Sequence, residues 1–131
     1  MTKPAVVRDY MSKRLVAFDP AAPIHQAIET LLQNHISGAP VIDMQGRLVG
    51  ILSKKDCLKV AFGSSYHRDL GGTVGEYMTP DPETIDADAD ILQAAERFLA
   101  GPYRRFPVIA DGQTVGVIAR YDVLRALADL W

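Results

Sequence analysis

The sequence is written almost twice: Val7 to Val60 aligns with Val74 to Ala126. At an offset of 67 the pairs Val7/Val74, Tyr10/Tyr77, Met11/Met78, Asp19/Asp86, Ala22/Ala89, Ile24/Ile91, Gln26/Gln93, Ala27/Ala94, Glu29/Glu96 and Leu32/Leu99 are identical, as are Pro40/Pro107, Val41/Val108 and Ile42/Ile109. One residue is then missing from the second copy, and at an offset of 66 Gly46/Gly112, Val49/Val115, Gly50/Gly116, Asp56/Asp122 and Leu58/Leu124 match. The deletion falls in a turn, where a change of length disturbs no ladder or core. A unit of about 60 residues has little interior of its own, so the two copies are expected to pack on each other about a pseudo-twofold axis.

Each copy reads as β-α-β-β-α, an α/β (α+β) unit. A short extended stretch, Val16-Ala17-Phe18 or Glu83-Thr84-Ile85, runs into a helix expected over Pro20 to Asn34 and Ala87 to Ala100. Apolar residues recur there with helical spacing at Ile24, Ala27, Ile28, Leu31 and Leu32, and at Ile91, Ala94, Ala95, Phe98 and Leu99. Asn34 and Gly101 stand where a left-handed cap would end the helix. Two strands follow, Ala39–Ile42 with Leu48–Leu52 and Phe106–Ile109 with Thr114–Ile118, the second pair joined through Asp111-Gly112, a hairpin signal. A second helix is expected at Lys54 to Phe62 and at Tyr121 to Leu130. The chain thus divides into a first repeat at 1–62, a Gly- and Ser-bearing linker at 63–73 and a second repeat at 74–131.

With 48% apolar and 23% charged residues among 131, the chain has the balance of a folded globular protein. The N-terminal stretch carries Lys3, Arg8, Asp9, Lys13 and Arg14 and lacks the apolar run of a secretory signal, and no apolar segment is long enough to span a bilayer. Cys57 is the single cysteine, so no internal disulfide is possible and a cytoplasmic location is expected. The net charge of −2 gives no overall pull toward nucleic acid.

The informative places are two strand-to-helix corners, Gly50-Ile51-Leu52-Ser53-Lys54-Lys55-Asp56 and Gly116-Val117-Ile118-Ala119-Arg120-Tyr121-Asp122. Amide N–H groups and the positive dipole end at a helix N-terminus favour an anion such as phosphate, and Lys54, Lys55 and Arg120 add full charges. A carboxylate one turn in, Asp56 or Asp122, is acceptor-only and suits the two hydroxyls of a ribose. Ser53 through Asp56 also reads as a capping box with Asp in place of Glu, and spacing alone favours neither reading. At the second corner Ala119 removes the capping hydroxyl while the carboxylate stays, which favours a ligand.

These features resemble a tandem pair of cystathionine-β-synthase (CBS) domains across nearly all of Val7 to Leu127. The Tyr-Met before each first strand, the runs ending Pro-Val-Ile at Ile36 to Ile42 and Tyr103 to Ile109, and the Gly-apolar-apolar-x-x-x-Asp corner carry it, twice and in order. The resemblance implies a non-enzymatic regulatory module with no covalent cofactor, whose cleft binds AMP, ADP or ATP, or else S-adenosylmethionine or a dinucleotide, and whose state an effector protein reads. It implies one site joining Ser53 and Asp56 to Thr84, Tyr103, Arg104 and Arg105, and another joining Asp122 to Ala17, Ile36, Ser37, Gly38 and Ala39. The first is the favoured site, because the second has Ala119 where a hydroxyl residue is expected, with Arg120 as a partial substitute.

His25, His35 and His67 lack the close spacing of a zinc site, and Cys57, set among Leu58, Ala61 and Phe62, reads as a packed thiol. No nucleophile, base and orienting group assemble from the repeat. The last helix carries Val123, Leu124, Leu127, Leu130 and Trp131, enough apolar surface to expect a homodimer. Two other classes stand as alternatives: a ligand-free dimerisation scaffold in which the aspartates only cap helices, and a nucleic-acid binder using Tyr103, Arg104, Arg105 and Phe106.

Overall fold

The computed structural model describes residues 5–67 and 71–131. The first four residues of the expected first repeat and residues 68–70 of the expected linker lie outside these. The described chain forms helices α1 (Val7–Tyr10), α2 (Ile24–Gln33), α3 (Lys54–His67), α4 (Val74–Tyr77), α5 (Ile91–Ala100) and α6 (Arg120–Ala128). Its strands are β1 (Gly38–Ile42), β2 (Leu48–Ser53), β3 (Thr79–Pro80), β4 (Ile85–Asp86), β5 (Arg105–Ala110) and β6 (Gln113–Ala119). They make two three-stranded sheets, ordered β1-β2-β3 and β4-β5-β6.

The chain divides into two compact units, Val16–Pro82, and Met1–Leu15 together with Glu83–Trp131. The division does not follow the repeat in the sequence, because the opening segment of each copy packs with the body of the other. In the first unit α4 is held by Val74 N–H donating to the Ala22 carbonyl at 2.9 Å and Gly75 N–H to that of Pro20 at 2.8 Å, and Thr79 pairs with Ile51. In the second unit α1 does the same: Val7 N–H reaches the Ala89 carbonyl at 2.9 Å, Arg8 N–H that of Ala87 at 2.8 Å, and Ser12 pairs with Val117. Gly50 and Gly116 make room for these segments. A Cβ on Gly50 would lie 2.5 Å from Met78 Sδ, and one on Gly116 would lie 2.6 Å from the Ser12 carbonyl oxygen.

Each unit has its own core. Phe18, Ile24, Ala27, Leu31, Ala39, Val41, Leu52, Cys57 and Val74 fill the first. Val7, Ile91, Ala94, Phe98, Phe106, Val108, Ile118, Val123 and Ala126 belong to the second, with Ile85 and Ala87. The duplicated Val7 and Val74 are both fully buried, each in the unit of the other copy's helices and strands.

The helices α2 and α5 begin later than the apolar spacing predicts. Asp19 Oδ1 accepts from Ala21 N–H at 2.7 Å and Asp86 Oδ1 from Asp88 N–H at 2.8 Å, and these Asx turns take the residues the helix was expected to use. The expected caps are also corrected. Asn34 is right-handed at φ −91° and His35 takes the left-handed place at φ 53°, while Gly101 is extended at φ −149°. Gly101 is needed for closeness instead: a Cβ there would sit 2.6 Å from the Tyr103 ring. The first extended stretch shrinks to a single bridge from Phe18 to Val41, and α3 runs on to His67, so Gly63 and Ser64 are helical rather than linker. The hairpin signal holds, with Asp111 at φ 51° and Gly112 at φ 76° in a two-residue primed turn between Ala110 and Gln113.

Both units leave an apolar groove between their two long helices. In the first it is lined by Ile28, Leu31, Leu32, Cys57, Leu58 and Ala61, beside Lys54. In the second it is lined by Ala95, Phe98, Leu99, Val123, Leu124 and Leu127, beside Arg120, the aligned residue at every position. Leu32 and Leu99, expected within the core stripe, instead face these grooves, Leu99 at 88% exposure.

Candidate functional site

At the first corner β2 ends on Ser53, and α3 starts at once. Ser53 Oγ accepts from Asp56 N–H at 3.1 Å, while Asp56 Oδ2 accepts from Ser53 N–H at 3.0 Å and from Ser53 Oγ–H at 2.9 Å. This is a reciprocal capping box with Asp in the third helical position. The Thr79 hydroxyl adds a further donor, 3.3 Å from Oδ2 and 3.4 Å from Oδ1. The expectation of free amides here is corrected in part, since Lys54 N–H donates to the Ser37 carbonyl at 2.8 Å and Asp56 N–H is capped. That bond from Lys54, with Gly38 opposite Ser53 in the ladder, brings Ile36, Ser37, Gly38 and Ala39 beside the corner. Ala17 precedes the Phe18 bridge and is exposed, as are Lys54 and Lys55.

The second corner repeats the carboxylate without the hydroxyl. Asp122 Oδ2 accepts from Ala119 N–H at 2.8 Å, so the aspartate caps the chain here too, and the loss of the serine does not single it out as a ligand group. Its other oxygen lies 4.0 Å from Arg125 Nη2, and its side chain is only 17% exposed. Among the described residues Asp56 thus has three donors and Asp122 one, plus a nearby cation. A part-buried carboxylate with spare acceptor capacity can take hydroxyl hydrogen bonds, each strengthened by its charge.

Beside the second corner lie Tyr103, Arg104 and Arg105, with Arg105 opposite Ala119 in the ladder. Burial, and then the positive charge of Arg104, lowers the Arg105 guanidinium below its ordinary range. A guanidinium still holds its proton at neutral pH. Tyr103 packs on Phe106 with ring centroids 5.0 Å apart. Thr84 stands just ahead of β4, whose Ile85 pairs in parallel with Val108. Each unit thus gathers one corner with the loop and first strand beside it. The combinations implied by the resemblance, Asp56 with the Arg104 side and Asp122 with the Ile36 side, draw on both units and remain proposals.

Cys57 is buried, and burial followed by the charge of Asp56 pushes its thiol up, as a packed side chain requires. Among the described residues no three His, Cys, Asp or Glu side chains gather in a way that would hold a metal ion, and no helix is long and apolar enough to cross a membrane. Two residues near the corners were not singled out from the sequence. Thr79 had a signal, because Ser12 puts a hydroxyl at the same place in the other copy. Arg97 had none, since its counterpart is Thr30.

A family model for the CBS domain matches residues 7–63 and again 74–129. The chain belongs to the CBS-domain family. Among curated CBS relatives, CBSX1 of Arabidopsis thaliana, a chloroplastic CBS domain-containing protein, is 31% identical over 92% of this chain and 63% of its own length. An uncharacterized protein of Methanocaldococcus jannaschii, MJ1225, is 25% identical over 95% of this chain and 44% of its own. The chain therefore spans under two thirds of these relatives. Among solved CBS structures, CBSX2 in complex with AMP superposes with a TM-score of 0.82 at 32% identity, covering 95% of this chain and 97% of that one. The CBS pair of MJ0100, in complex with 5′-methylthioadenosine and S-adenosyl-L-methionine, gives 0.77 at 25% identity over 94% and 99%.

Proposed function

We propose that this CBS pair is a regulatory module that binds an adenosyl compound at its strand-to-helix corners. The duplicated part-buried carboxylate, Asp56 and Asp122, carries the reading: each can take the hydroxyls of a ribose while keeping its bond from the corner amide. At Asp56 the ribose hydroxyls would replace the donors Ser53 Oγ and Thr79 Oγ1, an exchange of like for like. Tyr103, Arg104 and Arg105 supply a ring for the base and cations for phosphate. AMP, ADP, ATP and S-adenosylmethionine are the candidates, AMP favoured by the complex of the 32% identical CBSX2. The ligand shifts the balance between conformations that a protein effector reads. The reading assigns the chain no reaction, and its buried single thiol suits a reducing compartment such as the cytoplasm.

The same proposal gives the chain a second copy as partner. The two aligned grooves are the apolar surface a homodimer would cover.

A thermal-shift series with AMP, ADP, ATP, S-adenosylmethionine and a short RNA tests the function. A ligand at a hundred times its dissociation constant adds about 2.7 kcal/mol, a rise of several degrees for a domain of this size. The satisfied capping box at Asp56 favours one other reading, a ligand-free scaffold, for which no adenosyl compound raises the transition. A rise with RNA alone would point to nucleic acid instead.

A further inference from the structure

Arg97, in the last turn of α5, makes three contacts that converge on the wall of the candidate site. Its Nη1 donates to the Thr84 carbonyl, its Nη2 lies 3.3 Å from Glu83 Oε2, and its guanidinium carbon lies 4.3 Å from the centre of the Phe106 ring. Phe106 is fully buried, and the Tyr103 ring rests on it at 5.0 Å. One side chain therefore fixes the backbone of Thr84 and, across a single ring, backs Tyr103. A planar guanidinium can do both because its face stacks on the ring while its edge donates in the plane. At the aligned place in the first copy Thr30 returns its hydroxyl to the Gln26 carbonyl of its own helix.

We propose that Arg97 is a positioning residue for the adenosyl site, holding Thr84 and Tyr103 in place before the ligand arrives. The inference rests on the adenosyl reading above. With its edge committed to Thr84 and Glu83 and its face to Phe106, Arg97 acts on the nucleoside part of the ligand and not on phosphate.

Calorimetric titration of the full chain with adenosine, AMP and ATP, using the wild type, Arg97→Ala and Arg97→Lys, tests it, with urea unfolding of each protein alongside. Arg97→Ala is expected to weaken all three ligands by a similar factor of roughly tenfold. Arg97→Lys, which keeps charge and stem but loses the planar face, is expected to restore only part of the loss. A loss confined to AMP and ATP would overturn the proposal by making Arg97 a phosphate contact. Wild-type affinity in either folded variant would overturn it too, and if Arg97→Ala fails to fold, Arg97→Lys decides. If the wild type binds none of the three, S-adenosylmethionine takes their place in the same comparison, and failure to bind that as well overturns the adenosyl reading itself, and the role of Arg97 with it.

Discussion

Asp56 does two things that a single substitution would remove together. Its carboxylate accepts from Ser53 N–H at 3.0 Å, which ties down the start of α3, and under the proposed function it is also the acceptor offered to a ribose. Asp56→Ala is expected to weaken an adenosyl ligand by about 1.5 to 3 kcal/mol, the worth of hydrogen bonds to a charged group. It should also lower unfolding stability by about 0.5 to 2 kcal/mol through the lost cap. Titration beside urea unfolding separates the two. Ser53→Ala should lower stability through the cap while leaving the carboxylate in place. The aspartates and the serine were legible in the sequence because their spacing is local. Whether they cap or bind was not, since both uses ask for the same residues, and Thr79 reaches Asp56 from 23 positions away.

At the scale of elements, repeat and periodicity located every long helix and every hairpin strand, and the misplacements have common causes. Asp19 and Asp86 divert the backbone into Asx turns that apolar spacing does not register. Gly101 is a glycine because a ring lies against it, a contact invisible before packing. The α2/α3 and α5/α6 grooves bear on assembly. Leu32 and Leu99 sit in the apolar stripe of their helices yet remain exposed, which is the mark of a surface kept for a partner. Sedimentation over a concentration series is expected to show a dimer, and Leu99→Glu combined with Leu32→Glu to leave a monomer with an unchanged circular dichroism spectrum. Only monomer in the wild type would remove the second copy from the proposal.

Over the whole molecule, connectivity decides what can stand alone. The unit Val16–Pro82 is one continuous stretch, whereas the other is assembled from Met1–Leu15 and Glu83–Trp131. A fragment Val16–Pro82 retains its core and the pairing of Thr79 with Ile51, so it is expected to unfold cooperatively in urea. A fragment Glu83–Trp131 loses Val7 from its core and Ser12 from its sheet edge, and is expected to show no cooperative transition. Failure of the first fragment to fold, or independent folding of the second, would contradict this division. No pattern in the sequence announces the exchange of opening segments, because Tyr10-Met11 and Tyr77-Met78 read identically whichever body they join.

That exchange also sets an order of events on the ribosome. Val7, Met11 and Ser12 emerge before Val117, against which Ser12 pairs and which follows only after roughly a hundred further residues, about 5 to 20 s at ordinary translation speeds. The intervening stretch can complete its own fold in that interval. The apolar side chains of that opening segment must wait unpaired until the strands and helices they pack against have been made.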